Sequence, residues 1–153
     1  RPIQDGIYYS VGLSYIIAGD CSLHITTHTE AESTTASLIR QVFHIQGTLA
    51  ANHTFSYKTP FEMQLLHVSL VNTTANAGTC KIGIKTDDDA YLKAENFGVS
   101  GTPAVVNTEA GFDGVSADGQ YPVIPPETIV LITVTDHASH MAEATVVLTF
   151  ASG

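Results

Sequence analysis

Tryptophan is absent from this chain of 153 residues, and cysteine, methionine and cationic side chains are scarce. Six Lys and Arg residues stand against 15 Asp and Glu, which gives a formal net charge of −9 with His neutral. Binding to a phosphate backbone or an anionic membrane needs clusters of cations, and the chain has none. We therefore expect no nucleic acid and no membrane among its direct partners, whereas a cationic protein surface or a divalent cation is acceptable.

Motifs of common catalytic sites are also missing. The sequence contains no G-x-S-x-G nucleophile elbow, no Cys beside a His/Asn signature, and no glycine loop that opens a helix after a strand. No apolar run approaches the roughly 18 residues of a membrane helix. We expect a non-enzymatic protein without a cofactor, although composition alone never excludes a chance Ser-His-Asp triad.

Three local features leave alternatives open. Cys21 and Cys80 fit either a disulfide or two free thiols, because a buried thiol also behaves as a small hydrophobe. Asn52 and Asn72 match the glycosylation acceptor pattern, which matters only in a protein secreted by a glycosylating cell. The first residue is Arg1 and not Met, so we expect that something preceded it.

What the chain has in quantity is apolar, β-branched sequence. Hydrophobic residues make up 44% and charged residues 14%, against about 25% charged in an average protein. This composition indicates a folded globule, and the length suits a single domain over residues 1–153.

Strand patterns recur along most of the chain. Residues 21–30 alternate cleanly, with Leu23 and Ile25 on one face, as an antiparallel strand with one wet face does. Short strands separated by turn signals are typical of a β-sandwich or barrel. The other predicted strands are residues 8–18, 53–58, 61–72, 79–86, 90–93, 127–136 and 143–150.

Two segments are less regular. Residues 33–46 fit a helical stripe as well as a strand, and their many β-branched residues favour the strand. Residues 94–126 are rich in Gly and Pro, and only 104–106 and 121–124 look extended. Because long excursions often carry interactions, we expect Phe112 and Tyr121 to be contact residues.

Acidic and histidine groups suggest two metal hypotheses. Asp87, Asp88 and Asp89 could bind calcium, but they lack the EF-hand spacing, and the alternative is a solvated turn that closes the preceding strand. His137 and His140, with Asp136 beside them in a predicted hairpin loop, could converge on zinc.

A third histidine pair does not qualify. His24 and His28 lie about 13 Å apart on a strand, too far to share one ion.

The second half of the chain, roughly residues 53–150, resembles the jelly-roll structural proteins of tailed bacteriophages, which include capsid decoration (cement) proteins and related fibre or spike modules. The resemblance is carried by strand endings and turns: Thr59-Pro60-Phe61 before HVSLVN, GTCKIGIKT followed by DDDAYL, a Gly/Pro-rich excursion ending in VIPPE before ITVTD, and the closing strand EATVVLTF. It implies an antiparallel, jelly-roll-like β-sandwich.

The same resemblance implies a function. Such proteins look like trimers or clusters on a virion surface that clamp the major capsid protein or other particle subunits. An N-terminal arm over residues 1–9 could add to a neighbour's sheet through backbone hydrogen bonds, although an ordinary first strand is the alternative. The arm residues that we expect to make contacts are Arg1, Pro2, Ile3, Tyr8 and Tyr9.

Two other function classes stay open at this stage. One is a carbohydrate-binding β-sandwich of an extracellular protein, with tyrosines in place of the missing Trp as stacking platforms. The other is an extracellular filament subunit assembled by strand exchange.

Overall fold

The computed structural model describes residues 37–113 and 120–152. By its backbone contacts the chain divides into a unit Arg1–Thr35 and a unit Ala36–Gly153, and every described strand belongs to the second. The predicted hairpin of residues 8–18 and 21–30, the N-terminal arm, Cys21, and the pair His24 and His28 lie outside the described residues. The prediction of one domain over 1–153 therefore stays a prediction.

Nine strands and one short 3-10 helix, Glu109–Gly111, form the described fold. The first four strands are β1 (Leu38–Thr48), β2 (His53–Lys58), β3 (Met63–Val71) and β4 (Thr79–Ile84). The remaining five are β5 (Asp87–Asn96), β6 (Ala104–Val106), β7 (Val123–Ile124), β8 (Ile129–Thr135) and β9 (Ala142–Ser152).

The strands form two antiparallel sheets. The first has the order β1-β9-β3-β6, with β7 also paired to β3, and the second has the order β2-β8-β4-β5. Without the two-residue β7, the first strand pairs with the last, the second with the next to last, and so on inward. This nesting is a long antiparallel ribbon folded over on itself, which is the jelly-roll arrangement. The predicted all-β, jelly-roll-like sandwich is confirmed.

Side-chain alternation builds the core between the sheets. In β3, β8 and β9, fully buried apolar residues alternate with half-buried ones, because successive strand residues point to opposite faces. Phe150 of β9 is completely buried and stacks on Tyr57 of β2 at 5.9 Å between ring centroids, so it connects the sheets. Phe43 of β1 packs on Phe55 of β2 at 5.2 Å.

The ambiguous segment 33–46 is a strand from Leu38 onward, so the favoured alternative is confirmed there. Its exposure alternates residue by residue over all eleven positions of β1, which a helical period of 3.6 does not produce. β1 pairs with β9 from Leu38↔Ala151 to Thr48↔Ala142. Residues 33–36 lie outside the described residues.

The acidic run Asp87–Asp89 requires a correction. We predicted a turn that closes the strand before it, but β4 already ends at Ile84 and these residues open β5. Lys85 and Thr86 form the two-residue turn. The chain tolerates three aspartates in a strand because β5 is an edge strand, where the carboxylates reach solvent and Asp88 also pairs with Lys81.

Candidate functional site

The outward face of the first sheet carries most of the exposed apolar side chains. Six large hydrophobic side chains of the described residues are exposed, and four of them lie on this face with 48% to 68% of their surface in solvent. Strand pairing arranges the face in three rows, because paired residues point to the same side of a sheet. We define the outer face as the residues of these rows: Val42, Val147, Ser69 and Val105; Arg40, Thr149 and His67; Leu38, Ala151, Gln64 and Val123.

The middle row is polar, whereas the rows on either side are mainly apolar. Thr149 pairs with Arg40 on one side and with His67 on the other. Arg40, His67, Ser69, Val147 and Thr149 line a shallow depression of about 360 Å³. The depression therefore combines a guanidinium, an imidazole and two hydroxyls within an apolar frame.

The nearest polar cluster on β9 is occupied by its own bonds. Glu143 approaches His44 Nε2 at 3.1 Å and accepts a 2.9 Å hydrogen bond from the Gly47 N–H. Glu143 lies six residues from Thr149, about 20 Å along the strand. It therefore does not neutralise Arg40.

The excursion residues predicted as contacts are placed differently from each other. Phe112 is only 5% exposed and belongs to the core, so it offers no contact surface. Its ring meets Tyr121 edge-on at 5.8 Å, which explains its burial. Tyr121 is half-buried, and its hydroxyl donates a 2.9 Å hydrogen bond to the Asn107 carbonyl. Arg1, Pro2, Ile3, Tyr8 and Tyr9 lie outside the described residues.

Two lysines, one on β4 and one on β5, pair with aspartates. Asp88 of β5 pairs with Lys81 of β4 at 2.8 Å, and Lys93 of β5 pairs with Asp113, which follows the 3-10 helix. The hydrogen bond to Asp88 and the charges of Asp88 and Asp89 raise the pKa of Lys81, although burial opposes them. The pKa of Lys93 is raised in the same way, by its hydrogen bond to Asp113 first. Asp87, Asp88 and Asp89 do not form a group able to hold a metal ion among the described residues, and calcium needs about six to eight oxygen ligands. A calcium site there stays a prediction that no contact in the described residues supports.

The polar groups of the loop after β8 hydrogen-bond to one another. Asp136 accepts hydrogen bonds from the N–H groups of His137 and Met141 and from His140 Nδ1. His137 Nδ1 instead accepts from the Ser139 N–H, so its ring faces a different group. The predicted trio thus meets only as an Asp136–His140 pair. No group of three His, Cys, Asp or Glu able to hold a metal ion occurs within residues 37–113 and 120–152.

The two acceptor asparagines differ in access, and one cysteine is defined. Asn72 is fully buried, so the folded protein offers no room there for a glycan, whereas Asn52 is exposed. Cys80 is a buried free thiol of the core, and burial raises its pKa to about 12. A thiol with that pKa is inert near neutral pH.

The hydrogen bonds of Thr59, which join two turns, were not predicted from the sequence. Thr59 is fully buried, donates its hydroxyl to the Pro125 carbonyl at 2.7 Å and accepts from the Thr128 N–H at 3.0 Å. It thereby ties the turn before β3 to the turn before β8. The sequence shows both turns, Thr59-Pro60-Phe61 and Pro125-Pro126-Glu127. The residues around each turn do not predict that the two turns meet in the fold.

Comparison with known proteins gives only distant likenesses. No family model matches the chain, and no curated protein matches it. Among solved structures, a chain of the cyanophage Pam1 capsid asymmetric unit is 16% identical, with a TM-score of 0.47, over 90% of this chain and 100% of that one. A chain from infectious bursal disease virus, Gx strain, is 15% identical, with a TM-score of 0.30, over 93% of this chain and 41% of that one.

Both neighbours come from virus structures. In the part of the chain that the structure describes, no helix is long and apolar enough to cross a membrane.

Proposed function

We propose that this protein is a non-enzymatic virion structural protein that binds a phage capsid surface and stabilises it through contacts between subunits. The observation that carries the proposal is the outer face of the first sheet. Four exposed apolar side chains, Leu38, Val42, Val105 and Val123, flank the polar middle row on the edge strands of the sheet. Apolar surface exposed together with polar groups is typical of protein interaction sites.

The surrounding fold suits an adhesive role. The centre of the face lies on β9 and β3, which are hydrogen-bonded on both sides, so the backbone there is held in place before a partner arrives. A rigid surface loses little conformational freedom on binding, and this favours affinity.

The sequence resemblance supports the choice of partner. It points to the major capsid protein or another particle subunit, with the protein placed on the virion surface and assembled as a homo-oligomer, a trimer in the favoured form. The chain's charge of −9 favours a partner surface of opposite sign.

The alternatives find less support in the described residues. A sugar platform in the excursion would need an exposed aromatic face, but Phe112 is buried and Tyr121 is half-buried with its hydroxyl bonded. A filament joined by strand exchange would depend on residues 1–9. Native assemblies seen by electron microscopy would separate capsid knobs from filaments.

The test is an add-back experiment with the full chain. Purified protein is mixed with particles assembled without it, and bound protein is measured by sedimentation and located by electron cryomicroscopy. We expect saturable binding at discrete surface sites and no binding to glycan arrays. A strictly monomeric chain that binds no particle would overturn the proposal.

A matched pair of variants tests the face itself. Val42 lies on the outer face with 59% exposure, and Ile129 lies in the second sheet with 55% exposure. We expect Val42→Glu to weaken particle binding at least about tenfold, because it places a charge in an apolar contact. Ile129→Glu should leave binding unchanged, and equal effects of the two would remove the outer face from the interface.

A further inference from the structure

The middle row of the outer face has a charge opposite to that of the chain. Arg40 stands at its β1 end and His67 at its β3 end, and Thr149 lies between them. Strands are spaced about 4.8 Å apart, so the two end positions are about 10 Å apart, with a depression between their side chains. Among the residues that form the rows there is no carboxylate, although the chain as a whole carries 15.

The donors around the depression match one ligand chemistry. A guanidinium presents a planar fork that binds a carboxylate through two parallel hydrogen bonds. The hydroxyls of Thr149 and Ser69 and the His67 ring supply further hydrogen-bond donors around the depression. The rows of Val42 and Leu38 on either side supply apolar contact, which excludes water from such a pair.

We infer that this depression receives a carboxylate side chain, an Asp or Glu on an apolar segment of a neighbouring subunit of a different protein, with Arg40 as its charged partner. The inference rests on the proposed function, since it names the charged side-chain contact through which the outer face binds its partner.

A second copy of this chain fits the face poorly. A two-fold contact centred on the depression would bring Arg40 against the Arg40 of the other copy. An acidic side chain from another protein avoids that repulsion at the depression.

The first experiment compares two charge reversals in the particle-binding assay. Arg40→Glu and Lys85→Glu change the net charge by the same amount, but Lys85 is an exposed residue of the β4–β5 turn, away from the face. We expect Arg40→Glu to weaken binding at least about tenfold and Lys85→Glu less than about twofold. Thermal unfolding confirms that both variants fold, and Arg40→Gln against Lys85→Gln serves if either does not.

The outcomes separate the two claims. Wild-type protein that binds no particle contradicts the proposed function. Wild-type protein that binds while Arg40→Glu binds equally well contradicts only the carboxylate contact. Equal weakening by Arg40→Glu and Lys85→Glu also contradicts it, because the effect is then general repulsion.

A zero-length cross-link identifies the partner group. Carbodiimide joins a carboxylate to an amine, so the Arg40→Lys variant, bound to particles, should cross-link at position 40 to an Asp or Glu of another protein. Mass spectrometry of the cross-linked peptides identifies the two residues that are joined. Retained binding without a cross-link at this position, or a cross-link to a second copy of this chain, would overturn the inference.

Discussion

At the scale of single residues, Asn72 is the most heavily bonded side chain of the described fold. Its Oδ1 accepts hydrogen bonds from the Thr74 N–H and hydroxyl, both at 2.7 Å, and its Nδ2 donates to the carbonyls of Asn76 and Gly98 at 3.1 Å. These bonds hold the loop after β3 against the residues after β5. Because Asn72 is fully buried, water cannot replace them.

Replacing this side chain should therefore be costly. We expect Asn72→Ala to lower the free energy of unfolding by about 2–3 kcal/mol, because it leaves buried donors and acceptors without partners. Urea denaturation measures the change. Asn107→Ala removes an exposed asparagine and should stay within about 0.5 kcal/mol of wild type. Similar losses in the two variants would contradict the role given to the Asn72 bonds.

Asp136 connects stability to pH. Burial of its carboxyl raises its pKa, but hydrogen bonds from His140 and from the N–H groups of Met141 and His137 outweigh burial, so the pKa lies below its ordinary value of 3.8. A carboxyl with a lowered folded pKa stabilises the protein fully above its unfolded value. That contribution is lost as the pH falls through the folded pKa.

The pH dependence predicts how an amide variant behaves. Asp136→Asn should cost about 1.5–3 kcal/mol at pH 7, where the wild-type carboxylate accepts three hydrogen bonds. The difference in unfolding free energy between the wild type and Asp136→Asn should shrink below about pH 4. Urea titrations at pH 7, 5 and 3 would measure this difference. Asp88→Asn, in an exposed pair with Lys81, should cost under about 1 kcal/mol. A pH-independent difference for Asp136→Asn would refute the linkage.

At the scale of elements, the sequence predicted strands well where alternation or apolar runs were long. The predicted segments 61–72 and 127–136 appear as Met63–Val71 and Ile129–Thr135. The start of β5 was missed, because aspartate has low strand propensity and Lys81, the partner of Asp88, lies on the neighbouring strand β4. Local preference therefore failed where tertiary pairing decides.

The β4–β5 hairpin depends on a glycine. At Gly83 a methyl group would meet the backbone of Asp87, Asp88 and Asp89 far inside van der Waals contact, since β5 bulges over this position. The bulge adds three residues to β5 between the pairs Ile84↔Asp87 and Ile82↔Leu92. A backbone cannot give way as a flexible side chain does.

Variants at two glycines, Gly83 and Gly47, separate this steric effect from backbone strain. We expect Gly83→Ala to destabilise the protein by at least about 2–3 kcal/mol through overpacking. Gly47 has a φ of 76° with open space around it, so Gly47→Ala should cost about 1 kcal/mol. Asparagine tolerates that φ, so Gly47→Asn should recover part of the loss, whereas Gly83→Asn should not. Thermal unfolding of the four variants would test this ranking.

The outer face could not be predicted from the sequence, for a different reason. Leu38, Val42 and Val105 were visible as apolar strand residues, but their neighbours on the sheet come from 36 to 113 positions away. Which residues share a row depends on register, and register is set by long-range pairing. The sequence thus predicted strands able to carry a face, but not the row that places Arg40 beside Thr149 and His67.

At the scale of the whole molecule, the described fold depends on its C-terminal strand, β9. β9 is the last strand of the described residues, yet it lies inside the first sheet, between β1 and β3. Ser152 pairs with Met63, and its N–H also bonds to the Ser37 carbonyl, 115 positions away. Contacts of such separation slow folding, because a large loop must close before they form.

This topology predicts that a C-terminal truncation abolishes folding, although chain ends usually tolerate loss. Removing residues 142–153 exposes the edges of β1 and β3 and deletes Phe150, whose loss alone would cost about 3–5 kcal/mol. Since a whole domain is stable by only about 5–15 kcal/mol, we expect no cooperative unfolding transition in circular dichroism. Removing only residues 151–153 keeps Phe150 and should preserve the transition. A cooperative transition in the longer truncation would mean that the remaining strands form a core without β9, and the nested ribbon would then not be the unit of stability.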